Sequence, residues 1–176
     1  MQLGGIDKNQ ALFLQLKNAN LISLQVEGLS DLLPNAFAKT FNLQPDEVGI
    51  LKLEKQSLIF VYPARLHMVG TIPLNTLGSV ASRTATSKRA EVINAFAQAK
   101  HISVFESVEL KAPPGEKSGH TIQKLMSAPV IGPEGTLGVI EVCRKGISAP
   151  AAGPDFSPVD LQKLAAIATA LAKCFK

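Results

Sequence analysis

Tryptophan is absent from this chain and tyrosine occurs once, so the core must be aliphatic, supplemented by eight phenylalanines. No apolar run approaches the roughly 18 residues that a membrane-spanning helix needs, which excludes such a segment. Cysteine is scarce: Cys143 and Cys174 lie far apart in apolar surroundings. They read as reduced thiols rather than as a disulfide framework. His67, His101 and His120 show no metal-ligand spacing, and no cofactor is expected. Long runs of one charge are also missing. Eighteen Lys and Arg face 14 Asp and Glu, a mildly basic balance with no aromatic-interleaved stripe. No direct nucleic-acid contact is therefore expected. The opening MQLGGIDKNQ lacks a basic-then-apolar leader, so the expected location is cytoplasmic.

What is present describes a single globular domain. A 176-residue chain that is 46% hydrophobic and 18% charged can bury a sizeable core. Leu12 to Gly28 is apolar on almost every turn and reads as a helix, giving an N-terminal element over 1–28 and a domain over 29–176. A second helix starts near Ser30, with Asp31 and Pro34 in its first turn, and ends near Asn42. Ile22, Val26, Leu29, Leu33 and Phe37 form a seam broken by Gly28. Val48–Glu54 and Ser57–Tyr62 read as a hairpin around Lys55-Gln56, and Pro63 ends the second strand.

Gly70 to Gly78 reads as a connector and Ser79 to Ser87 as a short helix. Ala90 to Phe96 is a strand by pattern, and Lys100 to Val108 a short helix with one apolar face. After the loop Ala112–Gly119, Ile122–Ile131 and Thr136–Arg144 form a second hairpin around Gly132-Pro-Glu-Gly135. The last helix is the best marked: Ser157 caps it, Pro158 opens it, and Asp160 completes a capping box. Leu161, Leu164, Ala168, Leu171 and Phe175 give it an apolar seam. This order predicts an α+β fold with hairpins in one sheet and the terminal helices packed together.

Several stretches resemble the GAF domain family. They are Asp46-Glu-Val-Gly-Ile-Leu-Lys-Leu53, Ile72-Pro-Leu-Asn-Thr-Leu-Gly-Ser-Val-Ala81, Ala128-Pro-Val-Ile-Gly-Pro-Glu-Gly-Thr-Leu-Gly-Val-Ile-Glu-Val142 and Phe156-Ser-Pro-Val-Asp-Leu161. The resemblance implies a central antiparallel sheet of five or six strands. Terminal helices cover one face; short helices and loops enclose a small-molecule pocket on the other. It also implies a sensory or regulatory module, homodimeric through its terminal helices, that binds an unidentified small molecule and signals to a separate protein. A minority of the family reduces free methionine sulfoxide, which needs a cluster of cysteines that two cysteines do not supply. A structural dimerisation module with a collapsed pocket is the remaining alternative.

Cyclic-nucleotide-binding members carry an asparagine–lysine, phenylalanine, aspartate–glutamate signature. Lys145, Phe156 and Asp160 match it, while Arg144 and Leu161 replace the Asn and Glu. The resemblance implies a Lys145–Asp160 salt bridge below the pocket, and the departures argue against a cyclic nucleotide.

The remaining candidates come from pattern. Val139, Glu141 and Cys143 share one face of a strand, with Ile140, Val142 and Arg144 on the other. Glu141 is either a polar anchor in the pocket or a cross-strand partner of Lys124. Cys143, beside two cations, is either an activated thiol or a buried strand residue. Ser79–Arg89 holds five hydroxyls and three cations, so Ser79 and Arg83 are candidates for an anion site on a ligand-facing helix, against a merely solvated face. Asn94, His101 and Phe105 complete the pocket candidates.

Overall fold

The computed structural model describes residues 26–29, 32–68, 70–98 and 120–175. The helix expected over Leu12–Gly28 lies outside them except for its end, where Val26–Leu29 form a 3-10 turn. The helix expected over Lys100–Val108, with His101 and Phe105, lies outside them entirely.

Helix α1 (Leu32–Phe41) holds Pro34 in its first turn, where a missing N–H costs no helical bond. It stops at Asn42, which adopts a left-handed φ of 54°, and Leu43 N–H returns to the Ala38 carbonyl at 2.9 Å. A 3-10 turn, Pro45–Glu47, leads into β1 (Val48–Glu54) and β2 (Ser57–Tyr62). Lys55 and Gln56 join these strands with φ of 45° and 66°, the handedness that matches strand twist in a two-residue hairpin.

After the four-residue helix α2 (Ala64–His67) comes β3 (Thr71–Pro73), which pairs with β2 through Leu58 and Ile72. The sequence reading treats this segment as a connector, because three residues are too few to show a period of two. Pro73 ends the strand at the sheet edge, where a missing N–H is tolerated. Helix α3 (Val80–Ser87) follows, then β4 (Glu91–Ile93). This strand is shorter than the expected Ala90–Phe96, because Phe96 turns into a 3-10 segment and is buried there.

The long strands β5 (Thr121–Gly132) and β6 (Gly135–Gly146) form the second hairpin, and α4 (Pro158–Leu171) closes the fold. The sheet is antiparallel throughout, in the order β3-β2-β1-β6-β5-β4. The architecture is therefore the α+β sandwich that the element order predicts. Among the described residues, no helix is long and apolar enough to cross a membrane.

Each face of the sheet has its own core. On the helix face, Leu33 and Phe37 of α1 and Leu164, Ile167 and Leu171 of α4 meet Val48, Ile50, Met126, Ile140 and Val142. Each such aliphatic side chain contributes about 1.5–3 kcal/mol on burial. Val26 joins this cluster. On the opposite face, Leu51, Leu58, Phe60, Leu125, Val139 and Cys143 meet Val80, Ala81 and Ala85 of α3.

Two local devices hold the helix face. The capping box of α4 forms as expected: Asp160 N–H donates to Ser157 Oγ at 3.1 Å, and Ser157 N–H to the Asp160 carboxylate at 2.8 Å. Phe175 lies flat on Gly138 in the middle of β6. A Cβ at Gly138 would collide with the Leu51 carbonyl oxygen and stand 2.6 Å from the Phe175 ring. Gly138→Ala is expected to cost on the order of 2 kcal/mol by overpacking, read as a lower urea midpoint at unchanged slope.

Candidate functional site

The face opposite the terminal helices is where the polar anomalies collect. Helix α3 lies across it because its sequence has two sides. Val80, Ala81, Thr84 and Ala85, at positions one and four apart, point at the sheet and are buried. Ser79 caps the helix, its Oγ accepting from Ser82 N–H at 3.2 Å. Three further contacts clamp α3 to separate strands. Ser82 Oγ donates to the Pro73 carbonyl of β3 at 3.0 Å, and Thr136 Oγ1 of β6 donates to the Ala85 carbonyl at 2.8 Å. Arg83 makes a bidentate pair with Glu91 of β4, Nε and Nη2 at 2.9 and 2.8 Å from the carboxylate oxygens.

Beneath α3 one row of side chains crosses four strands. The register places Gly49 (β1) opposite Glu141 (β6), Glu141 opposite Ser127 (β5), and Ser127 opposite Glu91 (β4). Residues directly opposite share a face of the sheet. Glu141 therefore stands between two small neighbours, a glycine and a serine, and is only 4% exposed. Its Oε1 has no hydrogen-bond partner, and neither has Ser127 Oγ or Thr84 Oγ1. These are three of the four buried unpartnered polar side-chain atoms among the described residues. The fourth, Arg144 Nε, belongs to the helix face. A buried polar atom left without a partner costs about 1–3 kcal/mol.

Glu47 shows what a buried glutamate looks like when the fold itself satisfies it. Its two oxygens accept backbone N–H groups, from Gln44 at 2.9 Å and from Lys145 at 2.7 Å. Glu141 has no such arrangement. Burial pushes its carboxyl up to about 7 from an ordinary 4.5, and the Glu91 charge adds to the rise. The Ser127 hydroxyl, close by but outside hydrogen-bond geometry, pulls the value partly back.

The other sequence candidates divide cleanly. Glu141 and Cys143 do share the α3-side face with Val139, and Ile140, Val142 and Arg144 take the other. Lys124 is not Glu141's partner: it lies opposite Arg144 and binds Asp155 at 2.7 Å and the Gly153 carbonyl at 2.6 Å. Ser79 is a helix cap, and Arg83 is neutralised by Glu91. Asn94 spends both ends of its amide on the Phe156 backbone, donating at 3.0 Å and accepting at 2.9 Å. His101 and Phe105 lie outside the described residues. Cys143 and Cys174 are both buried, but in the cores on opposite faces of the sheet, so the sheet itself separates them. Burial raises the Cys174 thiol above its ordinary value, away from reactivity.

The signature residues also find other partners. Lys145 and Asp160 do not form the expected salt bridge. Lys145 Nζ donates to the Asp46 carbonyl at 2.8 Å and lies 3.5 Å from its carboxylate, because β6 runs past the start of β1 at that point. Asp160 is held by its own capping box. Phe156 is buried with the Arg144 guanidinium 4.7 Å from its ring centroid, and Arg144 donates to the carbonyls of Phe41 and Asn42, both at 3.0 Å. Arg144 is thus a clasp between the sheet and the end of α1.

Gly49, Thr84, Glu91 and Ser127 are the members of the site that the sequence reading did not single out. Two carried a signal: a glycine inside a strand often marks a close approach of another group, and Ser127 interrupts an apolar strand.

No family model and no curated protein matches the sequence. Solved structures do resemble the fold. The GAF domain of an Acinetobacter phosphoenolpyruvate-protein phosphotransferase superposes with a TM-score of 0.69 at 13% identity, covering 99% of this chain and 94% of that one. The fRMsr of Staphylococcus aureus in its reduced form gives 0.59 at 18% identity, with complete coverage of both chains. Residues 122 to 287 of a methyl-accepting chemotaxis protein give 0.60 at 14%, covering 91% and 92%. The fold is that of a GAF domain.

The raised carboxyl of Glu141 makes stability depend on pH. Its neutral form is present in the folded chain up to about 7, whereas the unfolded chain ionises near 4.5. The stability this group contributes is therefore complete below pH 4.5 and is lost as pH rises through 7, a change of about 3 kcal/mol. Glu141→Gln, isosteric with the neutral acid, is expected to remove that slope and to be more stable than the parent at pH 8. Urea unfolding at pH 5 and pH 8 measures both; equal slopes in the two proteins would refute the assignment.

Proposed function

We propose that this chain is a small-molecule-binding sensory or regulatory module, with its site between α3 and the sheet row Gly49–Glu141–Ser127. The observation that carries this reading is the unpartnered Glu141 Oε1, buried on the face where Ser127 Oγ and Thr84 Oγ1 are also unpartnered. A fold that completes Glu47 with two backbone donors leaves Glu141 incomplete, and a bound molecule would complete it. The GAF fold supports the reading, since one structure that shares it belongs to a chemotaxis protein.

The geometry does not favour a reductase based on a Cys143–Cys174 couple, because the two thiols sit on opposite faces. They fit a cytoplasmic setting in which both stay reduced. The output of such a module passes through α1 and α4, to a second copy or to a separate signalling protein. Both helices contact the strands that carry the site, and Leu32 and Val159 on them are solvent-exposed.

Native mass spectrometry of freshly purified protein, followed by a thermal-shift screen of small metabolites, tests the proposal. A retained or added compound should raise Tm by several degrees, and Ser127→Val, which replaces the hydroxyl opposite Glu141 with a bulkier apolar group, should abolish the rise. A screen without a stabilising compound, together with a Ser127→Val variant more stable than the parent, would mark the row as a closed core.

A further inference from the structure

We infer that the Glu141 site selects a small organic cation, one with an ammonium or amidinium head on a short apolar body. This inference rests on the reading of the α3-side face as a ligand site and specifies the ligand's chemistry.

An ionised carboxylate offers acceptors only, and a hydroxyl has lone pairs to spare. Glu141 Oε1 therefore lacks a donor and a counter-charge, while Ser127 Oγ and Thr84 Oγ1 each keep an O–H donor as well as lone pairs. Arg83, the cation that α3 brings to this face, cannot supply them, because its Nε and Nη2 are both committed to Glu91.

The groups around Glu141 can be taken element by element. Strand β5 presents Ser127, β4 presents Glu91, β1 presents Gly49 without a side chain, and α3 presents Thr84 and the paired Arg83. On β6 itself Cys143 lies two residues away on the same face. Arg83 is paired with Glu91, whose charge still raises the Glu141 carboxyl, so Glu141, once ionised, is the unpaired charge in this set. An anionic ligand would meet repulsion from Glu141 and from Glu91.

A metal ion fits less well than an organic cation. Among the described residues, no group of three His, Cys, Asp or Glu side chains is placed to hold one, and hard divalent ions require several oxygen ligands. An ammonium needs one carboxylate and one or two hydroxyls, which is the set present. Leu51, Val80, Leu125 and Val139 on this face are apolar and already pack on one another, so the aliphatic body must be short.

Binding a cation favours ionised Glu141, so it must displace the proton that burial retains. Affinity should then rise close to tenfold per pH unit below pH 7 and level off above it. Three short-chain probes of different charge separate the possibilities: propylammonium, 1-butanol and butyrate. Each is titrated into the full chain, with the backbone amide signals of Ser127 and Glu141 followed by nuclear magnetic resonance.

Propylammonium should shift both signals to saturation, about fivefold more tightly at pH 7 than at pH 6. Glu141→Gln should abolish this response, and Glu141→Asp should weaken it but keep its pH dependence. If butanol or butyrate binds as well as propylammonium, or if Glu141→Gln leaves binding unchanged, the cation inference fails while the ligand site stands. If none of the three perturbs Ser127 or Glu141, the inference fails. If, in addition, the metabolite screen finds no compound, the ligand-site reading fails with it.

Discussion

The pairing of β5 with β6 is the constraint from which the rest of the molecule follows. Both strands are buried on both sides, so every residue along them must suit one of two interiors. Ile140, Val142 and Arg144 enter the helix face; Val139, Glu141 and Cys143 enter the other. A slip of one residue would exchange the sets and place a carboxylate among the helices. The two-residue turn between Gly132 and Gly135 and the shifts of register near Gln123 and Ile131 pin that choice. Helix α3 and the terminal helices then occupy the only surfaces left to them.

Charge on the two faces is treated in opposite ways. On the helix face Arg144 is buried, but it has two carbonyls and a ring to hold it, and it ties α1 to the sheet. Lys124 is buried with Asp155 and a carbonyl. On the α3 face Glu141 is equally buried and lacks such completion at Oε1. The contrast is informative because desolvating an unpaired charge is among the largest penalties a fold can carry. The fold gives Lys124 and Glu47 partners and gives Arg144 two carbonyls, with Nε alone left over, whereas Glu141 Oε1 has no partner at all.

Much of the fold was legible because local rules wrote it. The capping box at Ser157, the left-handed turn at Lys55-Gln56, the stop at Asn42 and the alternation along β6 each depend on residues within a few positions of one another. The edge strand Thr71–Pro73 was not legible, since its pairing with Leu58 and Ile59 is a tertiary event three residues long. The Lys145–Asp160 bridge was misread for a related reason. The resemblance supplied a partner, but the overhang of β6 beyond β1 delivered Asp46 instead.

The site divides along the same line. Sequence alone determined that Glu141 and Cys143 share a face, that Ser79 begins a helix with an apolar side, and that a carboxylate in a central strand needs an explanation. It could not determine which neighbours surround that carboxylate. Gly49, Ser127 and Glu91 come from three different strands, and Arg83 and Thr84 from a helix. Their convergence depends on strand order and register, which are set by burial across the whole sheet rather than by any local spacing. Tertiary structure decided that Arg83 is matched with Glu91 and that Glu141 is not matched, and it thereby moved the centre of the site from the cations of α3 to a single buried acid.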